Sequence, residues 1–151
     1  MRYYTHLAFS FLLGVLLIKY LSIQNQLLFM ILFLISSLLP DFDEIKSKIS
    51  GKFKFSSWLI NIFISHRGLL HSVWIPFLIY LFLFFWNMNL AVAASLGYLS
   101  HIILDCLTVS GIKILWPLQK KLRGFIKSGG LTEYFIFVLL IIADAYLLIR
   151  L

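Results

Sequence analysis

Five runs of apolar residues, separated by short polar segments, constrain the fold of this chain more than any other feature. The runs cover Leu7–Ile18, Leu27–Leu39, Val73–Trp86, Leu90–Leu107 and Tyr134–Ile149. Hydrophobic residues make up 62% of the 151 residues, and charged residues only 13%. A domain of this size has too much surface for its volume to hide so many apolar side chains from water. The runs therefore predict an all-α polytopic bundle of about five transmembrane helices, forming one membrane domain over residues 1–151.

The segment between the second and third runs predicts one further element. Apolar residues recur at helical spacing over Phe55–Ser65, which is typical of a short helix lying in the membrane interface. Several runs are shorter than the ~20 residues that cross a bilayer. The second is the least secure because Pro40 ends it early, so residues 27–39 either cross fully or re-enter.

Positive charges predict the orientation in the membrane. If all five runs cross, eleven of the thirteen Lys and Arg residues share one face, and the positive-inside rule makes that face cytoplasmic. These eleven are Arg2, Lys46, Lys48, Lys52, Lys54, Arg67, Lys113, Lys120, Lys121, Arg123 and Lys127. The net charge of +7 then indicates topology and attraction to anionic lipids rather than nucleic-acid binding. We expect a multi-pass protein of the cytoplasmic (inner) membrane.

All four histidines and several carboxylates are predicted to lie at the same cytoplasmic face. They are His6, Asp41, Asp43, His66, His71, His101, Asp105 and Glu133. The orientation was derived from Lys and Arg alone, so this coincidence is independent of it. Ionisable residues inside apolar runs are costly and mark functional sites.

The spacing of these residues predicts a metal site. His101 and Asp105 are four residues apart and share one side of a helix. Asp41 and Asp43 follow a helix end, where an irregular backbone can turn both carboxylates inward. Imidazole and carboxylate ligands together suit Zn²⁺, Mn²⁺ or Fe²⁺. Seven candidate ligands exceed what one four-coordinate ion needs, so we expect two or more ions, with zinc favoured and manganese the alternative: His6, Asp41, Asp43, His66, His71, His101 and Asp105.

Three other charged residues have competing interpretations. Arg67 is either a topology charge or, as we favour, a contact for a phosphate, because its guanidinium forks onto oxyanions. Glu133 either binds a metal or complements the dipole of the helix that it begins. Asp144 lies deep in the last run and is predicted to pair with Lys19 near the opposite interface.

Several of these motifs, in this order, resemble a known family. They are Thr5-His6, Leu39-Pro40-Asp41-x-Asp43, His66-Arg67-Gly68-x-x-His71-Ser72, Gly97-Tyr98-x-Ser100-His101-x-x-x-Asp105-x-x-Thr108 and Leu115-Trp116-Pro117. The series resembles the LexA-regulated, membrane-bound metal-dependent hydrolases of bacteria and archaea, from residue 5 to about residue 133. Its H-x-x-x-D element is similar to that of zinc-dependent phospholipases C. Leu70 departs from the pattern, which has Thr before the second histidine.

The resemblance implies a hydrolase with a metal centre. We expect it to cleave a phosphoester of a lipid at the cytoplasmic interface, using water activated by the metal. Asp43 or Glu133 would act as general base, and Arg67 would offset charge in the transition state. The alternative is a non-enzymatic membrane protein, either a metal transporter or a scaffold with a structural ion, although a transporter should place its ligands nearer the bilayer midplane.

Overall fold

The computed structural model describes residues 1–41 and 67–150, and this part of the chain contains five apolar helices and no strand. The helices are α1 (Tyr3–Tyr20), α2 (Gln26–Leu38), α3 (Trp74–Phe84), α4 (Met88–Cys106) and α5 (Leu131–Ile149). A 3₁₀ turn over Leu39–Asp41 follows α2, and a single helical turn over Arg67–Leu70 precedes α3. The predicted all-α bundle is confirmed, with one helix for each apolar run. The predicted interfacial helix over Phe55–Ser65 lies outside the described residues.

The helices differ in whether they are long enough to cross a membrane. α1, α4 and α5 have 18, 19 and 19 residues and are sufficiently apolar to be candidate membrane spans. Nineteen residues rise about 28 Å, close to the thickness of the hydrocarbon core. α2 and α3, with 13 and 11 residues, are shorter apolar helices. The described chain therefore combines three candidate spans with two shorter helices.

Local sequence signals fix where these helices begin. The side-chain oxygen of Asn25 accepts a hydrogen bond from the backbone N–H of Leu28 at the start of α2. Asn87 accepts from the N–H groups of Asn89 and Leu90 at the start of α4. Both contacts satisfy backbone donors that have no partner within the helix. The two asparagine caps lie in the short turns that reverse the chain at one end of the bundle.

Polar residues mark the opposite end of the bundle. His6 lies in the first turn of α1, Asp41 follows α2, and His71 precedes α3. His101 and Asp105 lie in the last turns of α4. Ion-pair contacts among these residues show that the ends of α1 to α4 meet, so these four consecutive helices run in alternating directions.

α4 lies at the centre of the bundle and is the most buried of the candidate spans. It packs against α1, α2 and α3. A Cβ atom at Gly97 would lie 2.3 Å from the backbone oxygen of Phe33, so α2 and α4 touch backbone to backbone there. The hydroxyls of Ser10 and Ser100 are 2.8 Å apart and join α1 to α4. Small residues allow this close approach of helices in a membrane.

The segment between α4 and α5 folds back on itself at the polar end. Ile112 and Leu122 exchange two backbone hydrogen bonds of 3.0 Å, and Val109 donates to Ile126. This segment also holds the start of α3, because the backbone N–H of Val73 donates to Ile114. It therefore closes the polar end of the bundle beside the predicted site.

Candidate metal centre

Four side chains from three helix ends meet at the polar end of the bundle. They are Asp41, His71, His101 and Asp105, and one potential ligand atom from each lies within 4.8 Å of all the others. His101 is fully buried, and the other three are half-buried. We call these four residues the metal cluster. All four are among the seven ligands expected from the sequence.

The distances within the metal cluster differ from those of direct hydrogen bonds. His101 Nε2 lies 3.4 Å from Asp41 Oδ1 and 3.3 Å from Asp105 Oδ2, and His71 Nε2 lies 3.8 Å from Asp105 Oδ2. Hydrogen bonds between a ring N–H and a carboxylate are shorter, about 2.7–2.9 Å. The Nε2 atom of His101 is buried and has no hydrogen-bond partner. The side chains therefore converge without forming hydrogen bonds of normal length with one another.

The two spacings around His101 fit a tetrahedral ion, whereas His71 Nε2 lies farther out, 3.8 Å from Asp105 Oδ2. Ligands about 2.0–2.1 Å from a tetrahedral zinc ion lie about 3.3–3.4 Å from each other. Both contacts of His101 have this separation, and the lack of a hydrogen-bond partner at its Nε2 atom is consistent with binding to an ion. Two imidazoles and two carboxylates form a donor set that divalent transition metals accept. The residues present thus fit the expected metal.

The orientation of His101 is set by the backbone of α2. Its Nδ1 atom lies 2.8 Å from the carbonyl oxygen of Ser37, which can only accept a hydrogen bond. The proton of a neutral ring is therefore on Nδ1, which leaves the lone pair of Nε2 directed at Asp41 and Asp105. Histidines that bind metals are oriented by such contacts. Sequence reasoning missed Ser37 because a backbone carbonyl carries no signal in the sequence.

Asp41 lies in the 3₁₀ turn after α2, outside the candidate spans. Burial alone would raise the pKa of this carboxyl group. The adjacent imidazole of His101, whose Nε2 atom lies 3.4 Å from Asp41 Oδ1, outweighs burial and holds the pKa below its ordinary value. Asp41 is therefore a carboxylate at neutral pH, the form that binds a cation.

His6 lies beside the metal cluster and stacks on His101. The two rings are 3.9 Å apart and nearly parallel. His6 Nε2 lies 3.4 Å from Asp105 Oδ1, the oxygen that faces away from the rings of His71 and His101. The amino group of Met1 approaches the same oxygen at 3.0 Å. Both nitrogens of His6 are buried without a hydrogen-bond partner, which is costly for a polar group that binds nothing.

Glu133 is buried near His6 but is occupied by other partners. Its Oε1 atom accepts hydrogen bonds from the backbone N–H of Arg2, at 2.6 Å, and from the hydroxyl of Thr5, at 3.0 Å. Its Oε2 atom accepts from the N–H of Gly129 at 2.5 Å. The Oε1 atom thus joins the start of α5 to the start of α1, and the Oε2 atom binds the turn that precedes α5. Of the two interpretations of Glu133, these contacts favour the structural one.

The side chains of three other predicted site residues lie outside the described part of the structure. Asp43 and His66 lie outside the described residues. Arg67 begins the helical turn before α3, but its side chain is likewise outside the described part of the structure. The metal cluster therefore comprises only those ligands that the structure describes.

Asp144 does not form the expected ion pair with Lys19. It is buried in α5, and its Oδ1 atom has no hydrogen-bond partner among the described residues. Lys19 lies at the exposed end of α1. A long lysine side chain at a helix end extends to the interface rather than into the bundle, which is why the pair does not form.

Comparison with known proteins places the chain among bacterial membrane proteins. The uncharacterized protein YvsG of Bacillus subtilis (strain 168) is 32% identical over 120 residues, covering 74% of this chain and 72% of its own. The inner membrane protein YdjM of Escherichia coli (strain K12) is 31% identical over 124 residues, covering 76% of this chain and 63% of its own. YdjM of Shigella flexneri matches to the same extent. No solved structure matches.

The family comparison extends over nearly the whole chain. Residues 1–150 match the family described as YdjM inner membrane protein. This match agrees with the resemblance to the LexA-regulated membrane proteins noted from the motifs. None of these names states a hydrolase activity. On the extent of the match, the chain belongs to the YdjM inner membrane protein family.

Proposed function

We propose that this protein is a metal-dependent hydrolase that cleaves a phosphoester of a membrane lipid. The observation that carries the proposal is the metal cluster, in which side chains from three helix ends converge and the Nε2 atom of His101 has no hydrogen-bond partner. A fold does not assemble buried imidazoles and carboxylates in this way for stability alone, because each group loses its hydration. A bound cation would compensate for that loss.

We propose zinc as the first ion and a second ion beside it. The tetrahedral spacing around His101 favours zinc over manganese, which prefers six oxygen-rich ligands. The two oxygens of Asp105 face different histidines, Oδ2 towards His101 and Oδ1 towards His6. His6 would hold the second ion together with Oδ1 of Asp105. Asp43 and His66 remain proposed ligands that would complete the two sites.

The chemistry expected at this site is hydrolysis by activated water. Bound divalent ions supply a water of lowered pKa and polarise a phosphoryl oxygen. Asp41 and Asp105 would bring negative charge that retains the cations. If Asp43 does not bind a metal, it is the proposed general base in preference to Glu133, because both oxygens of Glu133 are engaged in hydrogen bonds. Arg67 is the proposed contact for the phosphate.

The position of the metal cluster supports a lipid substrate. It lies at the ends of apolar helices, where a phospholipid headgroup reaches while its acyl chains stay in the hydrocarbon. We place this end at the cytoplasmic face because eleven of thirteen basic residues are expected there.

The experiment that tests the proposal measures metal content and hydrolysis in the same preparation. Protein purified in detergent is analysed for metals and incubated with a panel of phospholipids, and products are followed by phosphorus NMR and mass spectrometry. Bound zinc and a released phosphate product, both lost in His101→Ala and Asp105→Asn, would support the hydrolase. Asp144→Asn is the matched control, since it neutralises a buried carboxylate far from the cluster.

Two results would contradict the proposal. Hydrolysis that persists in His101→Ala would show that the metal cluster is not the active site. Zinc transport into sealed vesicles, without hydrolysis of any lipid, would establish the transporter instead. If the ion is only structural, zinc should be bound but neither lipid hydrolysis nor zinc transport should be detected.

A further inference from the structure

His71 differs from the other histidines of the metal cluster because no long helix holds it. It follows the helical turn Arg67–Leu70 and precedes α3, so its position depends on the path of a short connecting segment. Yet its ring lies 5.7 Å from that of His101, and its Nε2 atom lies 3.8 Å from Asp105. Something must fix this segment relative to α4, which carries the two other residues.

Tyr98 makes that connection. Its side chain is buried in α4, with only 3% of its surface exposed, and its hydroxyl donates a hydrogen bond of 2.7 Å to the carbonyl oxygen of Leu70. Leu70 immediately precedes His71. Tyr98 lies three residues before His101, so it stands on the same side of α4, about one turn from the cluster.

Two other residues of the described segment, Ser72 and Val73, form hydrogen bonds of a different kind. Ser72 binds the carbonyl of Leu69 through its backbone N–H, at 2.9 Å, and through its hydroxyl, and both contacts are local. Val73 donates to Ile114, which belongs to the segment between α4 and α5. The hydroxyl of Tyr98 instead links the backbone beside His71 directly to the helix that carries His101 and Asp105.

We propose that Tyr98 is a positioning residue that holds His71 in the metal cluster. This inference rests on the proposed function, because it assumes that the cluster binds a metal. A ring nitrogen contributes to affinity only when it is held within a few tenths of an ångström of the ion. Losing the hydroxyl releases the Leu70 carbonyl from α4, so the backbone beside His71 is held less firmly and binding the ion must order it at a cost in affinity.

The test is a double-mutant cycle on zinc affinity, measured by competition with a chromophoric chelator. Tyr98→Phe keeps the ring and removes only the hydroxyl, and we expect affinity to fall about 10- to 100-fold, as is typical when a residue that orients a ligand is lost. His71→Ala should cause a larger fall. If Tyr98 acts through His71, adding Tyr98→Phe to His71→Ala should cause no further loss.

A spectroscopic measurement complements the double-mutant cycle. The absorption spectrum of the cobalt-substituted protein reports the coordination of the ion, and we expect Tyr98→Phe to shift it towards that of His71→Ala. Tyr80→Phe is the matched control, because it removes a tyrosine hydroxyl from α3 that contacts Met88 instead. It should leave affinity and spectrum unchanged.

The outcomes separate this inference from the proposed function. Metal-free wild-type protein, even after zinc is supplied, would overturn both. Zinc binding with equal affinity in wild type and Tyr98→Phe would overturn the positioning role alone. Losses that add in the double variant would show that Tyr98 stabilises the bundle without acting through His71.

Discussion

The Nδ1 atom of His101 meets the carbonyl oxygen of Ser37 one helical turn beyond the point where Gly97 touches Phe33. From the first pair to the second, the position moves four residues along α4 (97 to 101) and four along α2 (33 to 37). The two helices therefore run in the same direction. The absence of a side chain at Gly97 lets the two helices approach closely. That approach brings a backbone carbonyl within reach of the imidazole and so directs Nε2 at the carboxylates of the metal cluster.

Gly97→Ala should therefore weaken both the fold and metal binding. The added Cβ atom would lie 2.3 Å from the backbone oxygen of Phe33, and a backbone cannot move aside as a flexible side chain can. We expect a loss of about 1–3 kcal/mol in the free energy of unfolding. Separation of the helices would also release His101 from Ser37, lowering zinc affinity about 10- to 100-fold. Thermal unfolding and chelator competition measure the two effects.

Gly14→Ala is the matched control for this prediction. A Cβ atom there would lie 2.9 Å from the sulfur of Met30, which is part of a flexible side chain and can rotate away. Gly14 lies on α1, and a Cβ atom there would meet only side-chain atoms of α2, not the backbone of Phe33 that contacts Gly97. The control should retain zinc affinity and most of its stability. Equal losses of zinc affinity in both variants would show that the approach at Gly97 has no special role.

Chelation of the metal should lower the unfolding temperature of the wild-type protein but not that of a variant that lacks a ligand of the metal cluster. A ligand present at about 1,000 times its dissociation constant stabilises a native state by about 4 kcal/mol. Adding EDTA should remove that contribution from the wild type. His101→Ala, already lacking a ligand, should unfold at the same temperature with and without EDTA. A wild type insensitive to both EDTA and added zinc would contradict a metal-dependent fold at this end.

The sequence predicted the helices and most of the cluster because both depend on simple patterns. Apolar runs defined the five helices, and the alternating direction of successive helices placed His6, Asp41, His71 and His101 at one end. The orientation of His101 could not be predicted in the same way, since Ser37 acts through its backbone. The same reason concealed the contact of Tyr98 with Leu70.

The role of Glu133 also needed the three-dimensional structure. Its place in the first turn of α5 was compatible with metal binding, general-base catalysis and a dipole effect. Only its contacts with Arg2, Thr5 and Gly129 separate these possibilities. Two of the donors are backbone N–H groups, which every residue carries, so no sequence pattern singles them out.

Glu133→Gln should lower stability while preserving the metal site. The amide keeps one oxygen but replaces the other with an NH₂ group, which cannot accept a hydrogen bond from the N–H of Gly129 or Arg2. Leaving a buried donor unpaired costs about 1–3 kcal/mol. We expect a lower unfolding temperature with unchanged zinc stoichiometry. Thr132→Ala, at an exposed neighbouring position, should change neither quantity.

Hydrolysis by Glu133→Gln separates the structural interpretation from the catalytic one. If Glu133 only joins α1 to α5, the folded fraction should hydrolyse lipid at a rate close to that of the wild type. A loss of more than about 100-fold in the rate, with zinc content and folding intact, would instead assign the general base to Glu133.

His6→Ala should reduce the number of bound ions rather than abolish binding. His6 stacks on His101 but approaches the opposite oxygen of Asp105, and both of its nitrogens lack partners. Two ions that shared Asp105 would account for this arrangement. We expect elemental analysis to find one equivalent of zinc fewer than in the wild type, with the tighter-binding ion retained because its four ligands are intact.

Ser10→Ala is the control for this prediction. It lies one turn along the buried side of α1, removes a hydrogen bond but no ligand, and should keep the full stoichiometry. Unchanged zinc content in His6→Ala would reduce His6 to a packing role against His101.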